Sequence, residues 1–149
     1  MHTEIYNFEA ITDWLGTSGQ PQAAQFAGIA QAGYKAVINL AMPDSDNAIA
    51  DEGRLVTEHG MAYFHIPVDF AAPTVDDLRL FFGVMQALDG QRVWVHCVVN
   101  ARVSAFVYQY LPHVRGFSEA DAQTRLLKRW LPQMDDVWRA FIDIPASSI

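Results

Sequence analysis

The chain has a single cysteine, Cys97, among its 149 residues, which excludes an intramolecular disulfide. Lysine and arginine are also scarce. They number 10 against 17 acidic residues, and the formal net charge of −7 disfavours nucleic acid and anionic membranes as partners. No apolar run approaches the ~20 residues needed to cross a bilayer, and the start carries no basic-then-apolar leader. These absences together predict a cytoplasmic protein.

Apolar residues, in contrast, are plentiful, because 51% of the chain is hydrophobic and 12% is aromatic. Such a composition can offset the conformational entropy that folding costs, so disorder is excluded. The length fits one domain with a sizeable core. No repeat, linker or low-complexity stretch interrupts the chain, and we expect one domain spanning residues 1–149.

Short β-branched runs alternate with amphipathic segments along the chain. Runs bounded by glycine or proline predict buried strands at 35–40, 61–66 and 92–96. Helical spacing and capping residues predict helices at 21–33, 49–59, 74–90 and 104–111, the last limited by Pro112. A cap at Ser118 and apolar stripes around Trp130 and Trp138 predict one or two closing helices packed on the core.

This alternation predicts an α/β fold with a central, mostly parallel sheet of about four to five strands and helices on both faces. Parallel sheets of this kind bind their ligands beyond the carboxyl ends of the strands. Cys97 directly follows the strand at 92–96 and therefore lies at such an end.

The stretch VWVHCVVNARVSAF, residues 93–106, places the lone thiol on a strand-to-helix turn. Free N–H groups and the positive end of a helix dipole stabilise a thiolate and bind a tetrahedral oxyanion. Arg102 adds a planar charge suited to phosphate. The turn lacks glycine, and asparagine is the residue that best replaces it at a left-handed position. The expected anion-binding residues are His96, Val98, Val99, Asn100, Ala101 and Val103.

The segment HCVVNARVSAF resembles the signature loop of the cysteine-dependent protein tyrosine and dual-specificity phosphatases. The stretches TSGQP, AGYKAVINL and HGMAYFHIPVDF are similar to a bacterial branch of that superfamily, so the resemblance covers Gly16 to Leu111. It implies a phosphatase-like fold and the hydrolysis of a phosphomonoester. The implied partner is a phosphorylated substrate or an inorganic oxyanion, and no cofactor or metal is required.

In that superfamily a phosphocysteine forms on the loop cysteine, the arginine binds the phosphoryl oxygens, and an aspartic acid on another loop protonates the leaving group. The resemblance assigns these roles to Cys97, Arg102 and Asp69. Asp69 fits because it follows the strand at 61–66 and precedes a helix. The family's hydroxyl that assists departure of the thiolate corresponds to Ser104.

One spacing departs from the superfamily, because only four residues separate Cys97 from Arg102 where most members have five. One residue turns a helical side chain by about 100°, so Arg102 faces the same anion only if the loop is tighter. Four residues is also the spacing in rhodanese-like sulfurtransferases, which carry a persulfide. Two alternatives therefore stand beside the phosphatase: a sulfur carrier, and a non-catalytic module that binds phosphate or a phosphopeptide.

Other polar residues receive structural interpretations. His96 is expected to be a buried imidazole that holds the loop, and the other histidines show no metal-ligand spacing. The acidic stretch from Asp44 through Asp51 and Glu52 lacks the glycine of a calcium loop, so we expect a solvated loop. The sequence does not determine the substrate or the oligomeric state.

Overall fold

The computed structural model describes residues 1–149 and has a five-stranded sheet at its centre. The strand order is β1-β2-β5-β3-β4, in which β1 alone is antiparallel to its neighbour. The predicted α/β class with a mostly parallel sheet is confirmed. The strands are β1 (Glu9–Ala10), β2 (Leu15–Ser18), β3 (Ala36–Asn39), β4 (Ala62–His65) and β5 (Val93–His96).

Seven α-helices surround the sheet, and short 3-10 turns join several of them. Thr74 and Asp77 form the expected capping box, and Ser118 Oγ accepts from Asp121 N (3.1 Å). The helices are α1 (Phe26–Gln31), α2 (Glu52–Glu58), α3 (Val75–Ala87), α4 (Ala101–Arg115), α5 (Glu119–Ala122), α6 (Arg125–Trp130) and α7 (Asp136–Ile142).

The predicted bounds of α4 were wrong at both ends. The helix begins at Ala101, directly after the turn, instead of at Ser104. It also continues through Pro112 to a left-handed end at Gly116 (φ 73°). A proline removes one backbone hydrogen bond, and burial of the preceding Tyr110 and Leu111 in the core outweighs that loss.

Three strands also differ from the sequence-based prediction, and the two-residue strand β1 is one that was not predicted. β4 was predicted to be buried but forms an edge of the sheet, with Ala62 and His65 exposed. A short apolar run does not distinguish a central strand, which is buried on both faces, from an edge strand that is only partly covered. β2 was not predicted, since its sequence LGTS has only one large apolar residue.

Apolar side chains on the two faces of the sheet form two separate cores. On one face Ile38 and Val95 pack with residues of α3, α4, α6 and α7. On the other, Val37 and Trp94 pack with residues of α1 and α2. Helices therefore cover both faces, as expected. None of the helices combines the length and apolar character required to span a bilayer.

The register of the parallel strands brings their carboxyl ends together. Ser18 of β2 pairs with His96 of β5, which pairs with Asn39 of β3, which in turn pairs with His65 of β4. The segments that leave these strands therefore start from one edge of the sheet. The Cys97 turn and the Asp69 segment are two of them.

Candidate active site

Cys97 lies on the turn between β5 and α4, and its side chain is fully buried. Its amide donates to Ser18 O (3.4 Å), which continues the β2–β5 ladder by one residue. Asn100 then adopts the left-handed conformation with φ of 75°, as predicted for the residue that replaces glycine. The turn reaches α4 at the next residue, so the loop is shorter than in most phosphatases and Arg102 lies in the first helical turn.

We call the amide groups of residues 98–103 the anion cradle, after the ligand that the sequence predicts for them. None of them donates a hydrogen bond to another group of the protein, and the first helical bond runs from Ser104 N to Asn100 O (3.1 Å). The turn thus offers a continuous series of N–H groups at the start of a helix of 15 residues, where the helix dipole adds positive potential. An oxyanion is the ligand that satisfies such a series.

Arg102 is a buried charge without a carboxylate partner, and only 7% of the residue is exposed. Its one hydrogen bond runs from Nη1 to Val68 O (2.9 Å), and its buried Nε has no protein partner. The guanidinium also lies over the Phe70 ring, 5.6 Å from the centroid. Because an unpaired buried charge is costly, an anion beside Arg102 would stabilise it, and the neighbouring amides could donate to the same anion.

Backbone and side-chain contacts hold the turn from the other side. Asn100 Nδ2 donates to Asn7 O (2.9 Å) and to Thr17 Oγ1 (3.2 Å). Gln20 N donates to Val98 O (3.0 Å). Gly19 is needed for this approach, because a Cβ there would lie 2.6 Å from Val98 O. The TSGQP stretch therefore clamps the loop through its backbone.

The left-handed angle of Asn100 gives a stability prediction. Asn100→Gly loses the two side-chain hydrogen bonds but adopts the backbone angle freely, whereas Asn100→Ala loses the same bonds and is also strained. Chemical denaturation should show both variants to be less stable than wild type, with Asn100→Ala lower than Asn100→Gly by about 1 kcal/mol. Equal stabilities would contradict the assigned conformation.

Asp69 lies in the segment between β4 and α3, as expected, with an exposed side chain. Its Oδ1 accepts from Ala71 N (2.9 Å). The carbonyls on either side are held by buried residues, since Arg102 binds Val68 O and Trp138 Nε1 donates to Phe70 O (2.8 Å). The carboxylate is thus carried on a short segment pinned at both neighbours, one of which is bound by the arginine of the anion cradle.

Ser104 is buried in the first turns of α4, and its hydroxyl donates to Ala101 O (2.6 Å). A hydroxyl has one proton to donate, so in this rotamer Ser104 has none for the sulfur of Cys97. A role in thiolate departure requires rotation about χ1.

A buried polar network lies directly behind the loop. His96 is fully buried, with Nδ1 3.2 Å from Cys97 O and Nε2 2.7 Å from Glu52 Oε2. Glu52 Oε1 accepts from Gln20 Nε2 (2.6 Å). The prediction that Glu52 belongs to a solvated loop was wrong, because the residue is only 3% exposed. It begins α2 and points inward, joining three segments of the site.

The titration of Glu52 reflects two opposing effects. Burial alone would raise the pKa of its carboxyl, but hydrogen bonds from His96, Gln20 and Tyr63 outweigh burial and hold that pKa below its ordinary value. Burial, together with the nearby Glu52 charge, raises the pKa of the Tyr63 hydroxyl. Glu52 is therefore held as a carboxylate that accepts from its neighbours.

A depressed pKa in the folded state makes stability depend on pH. The contribution of Glu52 is complete above the pKa of the unfolded chain and is lost as the pH falls through the lower folded value. Glu52→Gln replaces one acceptor oxygen by an NH2 group and leaves a converging donor without an acceptor, so it should lower the free energy of unfolding by about 1–3 kcal/mol at neutral pH. The loss should shrink in acid, measured by denaturant titration across pH.

Glu58→Gln is the matched control, since Glu58 lies on the same helix but is exposed and pairs only with Arg54 (2.6 Å). A surface pair of this kind contributes less than about 1 kcal/mol. If both variants lost the same small amount at every pH, Glu52 would not be the charged centre of the network.

The structure brings together most of the residues that the sequence singled out. His96, Cys97 and residues 98–103 form one turn, and Asp69 lies on the adjacent segment. Sequence reasoning missed Glu52 and Trp138 as parts of the site. A glycine after Glu52 and an ordinary core pattern around Trp138 gave no sign of either contact, because both partners are distant in the chain.

A cysteine and an arginine on one strand-to-helix turn, with free amides between them, define the class of cysteine-dependent phosphatases within this fold. The family model of the DSP-PTPase phosphatase fused to NAD+ kinase matches residues 3–136. The chain therefore belongs to this family of phosphatases, which is the resemblance that the sequence motifs indicated.

Solved structures and curated proteins agree with this assignment. A protein of the DUF442 group from Shewanella putrefaciens CN-32, assigned as a phosphatase, is 36% identical, with a TM-score of 0.85 over 94% of this chain and 91% of that one. TpbA of P. aeruginosa in complex with pTyr is 17% identical and shares the fold, with a TM-score of 0.71 over 95% of this chain and 86% of that one.

A curated relative, the beta-lactamase hydrolase-like protein of Xylella fastidiosa (strain Temecula1 / ATCC 700964), is 28% identical over 137 residues, which are 80% of this chain. The chain spans only about a third of that relative's length, since the match covers 31% of it.

Proposed function

We propose that this chain hydrolyses phosphomonoesters through a phosphocysteine on Cys97. The observation that carries the proposal is the buried Arg102, which has no carboxylate partner and lies one residue after the unpaired amides of residues 98–101. A dianionic phosphoryl group satisfies both at once. Membership in the phosphatase family supports the same function. So does the location of the Cys97 turn at the carboxyl ends of the parallel strands.

In the first step the Cys97 thiolate attacks phosphorus. The S–P bond forms while the ester P–O bond breaks, and Asp69, in its acid form, gives a proton to the departing oxygen. Loop amides and Arg102 hold the three equatorial oxygens, where charge is concentrated in the transition state. Asp69 is suited to the proton transfer because its Oδ1 is held by one backbone amide, which leaves Oδ2 available.

In the second step water attacks the phosphocysteine. Asp69, now a carboxylate, removes a proton from the water, the O–P bond forms and the S–P bond breaks. Inorganic phosphate and the Cys97 thiolate are the products, and Asp69 is again protonated. Ser104, after rotation away from Ala101 O, would donate to the departing sulfur. No step uses a metal or a cofactor.

The shortened loop is compatible with this chemistry because α4 begins at Ala101, directly after the turn and before the start at Ser104 that the sequence predicted. Ending the turn at Asn100 puts Arg102 on the second residue of the helix. From there Nη1 reaches Val68 O, beside the acid, while Nε remains unpaired. A phosphorylated ligand for this fold is also supported by TpbA, which shares the fold and was solved in complex with pTyr.

A non-catalytic phosphate-binding module would keep the same cradle without turnover. A rhodanese-like carrier would place a persulfide on Cys97 and would need no general acid. The pinned position of Asp69 favours the phosphatase over both, since neither alternative uses a carboxylate there.

The role of Asp69 predicts a dependence on the leaving group. Asp69→Asn should slow hydrolysis of phenyl phosphate by about 10²–10⁴-fold, because phenolate is a poor leaving group without a proton. The same variant should slow hydrolysis of p-nitrophenyl phosphate far less, because p-nitrophenolate leaves readily without a proton. Steady-state kcat on both substrates provides the measurement, and Cys97→Ser should abolish turnover of both.

Asp76→Asn is the matched control, because Asp76 is an exposed aspartate of α3 that pairs with Arg79. Equal losses on the two substrates would reject Asp69 as the acid. Binding of phosphate by a wild-type protein that turns over neither substrate would establish the non-catalytic module. A persulfide on Cys97 after treatment with thiosulfate would instead establish the sulfur carrier.

A further inference from the structure

Free positive charge is concentrated on α6, beside the Cys97 loop. Arg125, Lys128 and Arg129 are three of the ten basic residues of the chain and lie within one short exposed helix. None of the ion pairs of the protein involves Lys128 or Arg129. Arg125 faces one carboxylate, Glu9, at 3.8 Å.

The other exposed arginines each have an acceptor within the protein, which for Arg139 is the main-chain carbonyl of Met134 (3.1 Å). Arg54 pairs with Asp51 and Glu58, Arg79 with Asp76, and Arg115 with Asp89. A chain of net charge −7 would be expected to neutralise its cations in this way. Leaving two of them unpaired at one place therefore produces a local positive potential on an otherwise negative surface.

Two surface grooves meet at α6. The first is lined by the loop residues Val99 and Ala101, and also by Phe70, Trp130 and Arg129. Phe70 is 42% exposed, and its ring stacks on that of Trp130 at a centroid distance of 5.8 Å. The groove is thus apolar and aromatic near the anion cradle and ends at a cation.

The second groove lies on the other side of the same helix. It is lined by Asn7, Glu9, Arg125, Lys128 and Arg129. Asn7 links it to the cradle, because Asn7 Nδ2 donates to Val99 O (2.9 Å) and Asn7 O accepts from Asn100. Arg129 lines both grooves, so an extended ligand that leaves the cradle meets positive charge in either direction along this wall.

We propose that α6 is a specificity site for a second anionic group, and that the protein prefers phosphotyrosyl peptides with acidic residues next to the phosphotyrosine. This inference rests on the proposed phosphatase function and extends it. The cradle holds the phosphoryl group, Phe70 and Trp130 contact the aromatic ring, and Lys128 and Arg129 pair with carboxylates of the neighbouring residues. A peptide can place its phosphoryl group at the cradle and a neighbouring carboxylate at Arg129, because residues of both line the first groove.

The experiment compares two phosphotyrosyl peptides that differ only in the flanking residues, aspartate and glutamate in one and asparagine and glutamine in the other. Wild type should hydrolyse the acidic peptide with a higher kcat/KM, by roughly 2- to 30-fold at low salt, since each of the two exposed charge pairs contributes about 0.2–1 kcal/mol. High salt should reduce the ratio. In the double variant Lys128→Gln/Arg129→Gln the ratio should approach one.

Lys35→Gln is the matched control, because Lys35 is exposed at the amino ends of the strands, at the opposite edge of the sheet. This variant should keep the wild-type ratio. A wild-type ratio of one, or a ratio that survives in the double variant, would overturn the α6 proposal. So would a preference for a small bisphosphorylated molecule over the acidic peptide.

Failure of the inference is distinguishable from failure of the proposed function. If wild type hydrolyses p-nitrophenyl phosphate but treats the two peptides alike, the phosphatase stands and the α6 site is rejected. If it hydrolyses none of these substrates, the proposed function fails, and the specificity site fails with it.

Discussion

Unpaired backbone amides between Cys97 and Ser104 impose the constraint on which the site depends. The N–H groups of this segment have no internal partner and must donate to water or to a ligand, and the buried Arg102 beside them adds an unpaired charge that costs free energy. Both gain a partner when a tetrahedral oxyanion binds. The fold holds the turn in this conformation through contacts behind it, on one side of it and at the helix that follows it.

Three groups of contacts provide that support. The His96–Glu52–Gln20 network holds the carbonyl of Cys97 from behind, and the backbone of Gly19 and Gln20 approaches Val98 from the neighbouring strand. The side chain of Asn100 ties the left-handed residue to Asn7 and Thr17. The loop is therefore preorganised by residues that never touch a substrate, which is the arrangement that electrostatic catalysis requires.

Arg102 also connects the anion cradle with the segment that carries Asp69. Its guanidinium binds Val68 O, and Trp138 binds Phe70 O, so the carbonyls on both sides of the carboxylate are fixed by buried side chains. Arg102 donates a hydrogen bond to Val68 O, in the segment that carries Asp69. An anion that binds Arg102 would therefore also affect the position of that segment. In the proposed mechanism, binding and proton transfer would thus share one residue.

Much of the fold and the centre of the site were accessible from sequence. Glycine and proline boundaries located three of the five strands, and the single cysteine with Asn100 and Arg102 identified the turn. Glu52 was misjudged because burial of a carboxylate depends on donors from segments 32 and 44 residues away. The length of α4 was misjudged because packing around Leu111 overrides the local effect of Pro112. Strand β2 has too few apolar residues to be recognised, yet it supplies the clamp on the loop.

The short loop raises the question of whether Cys97 itself becomes bonded to phosphorus. Rapid acid quenching during turnover of an aryl phosphate, followed by mass spectrometry of the peptide that contains Cys97, tests this directly. The account predicts one phosphoryl group on Cys97 in the wild-type protein and none in Cys97→Ser. Turnover with an unmodified Cys97, or with the phosphoryl group on another residue, would contradict it.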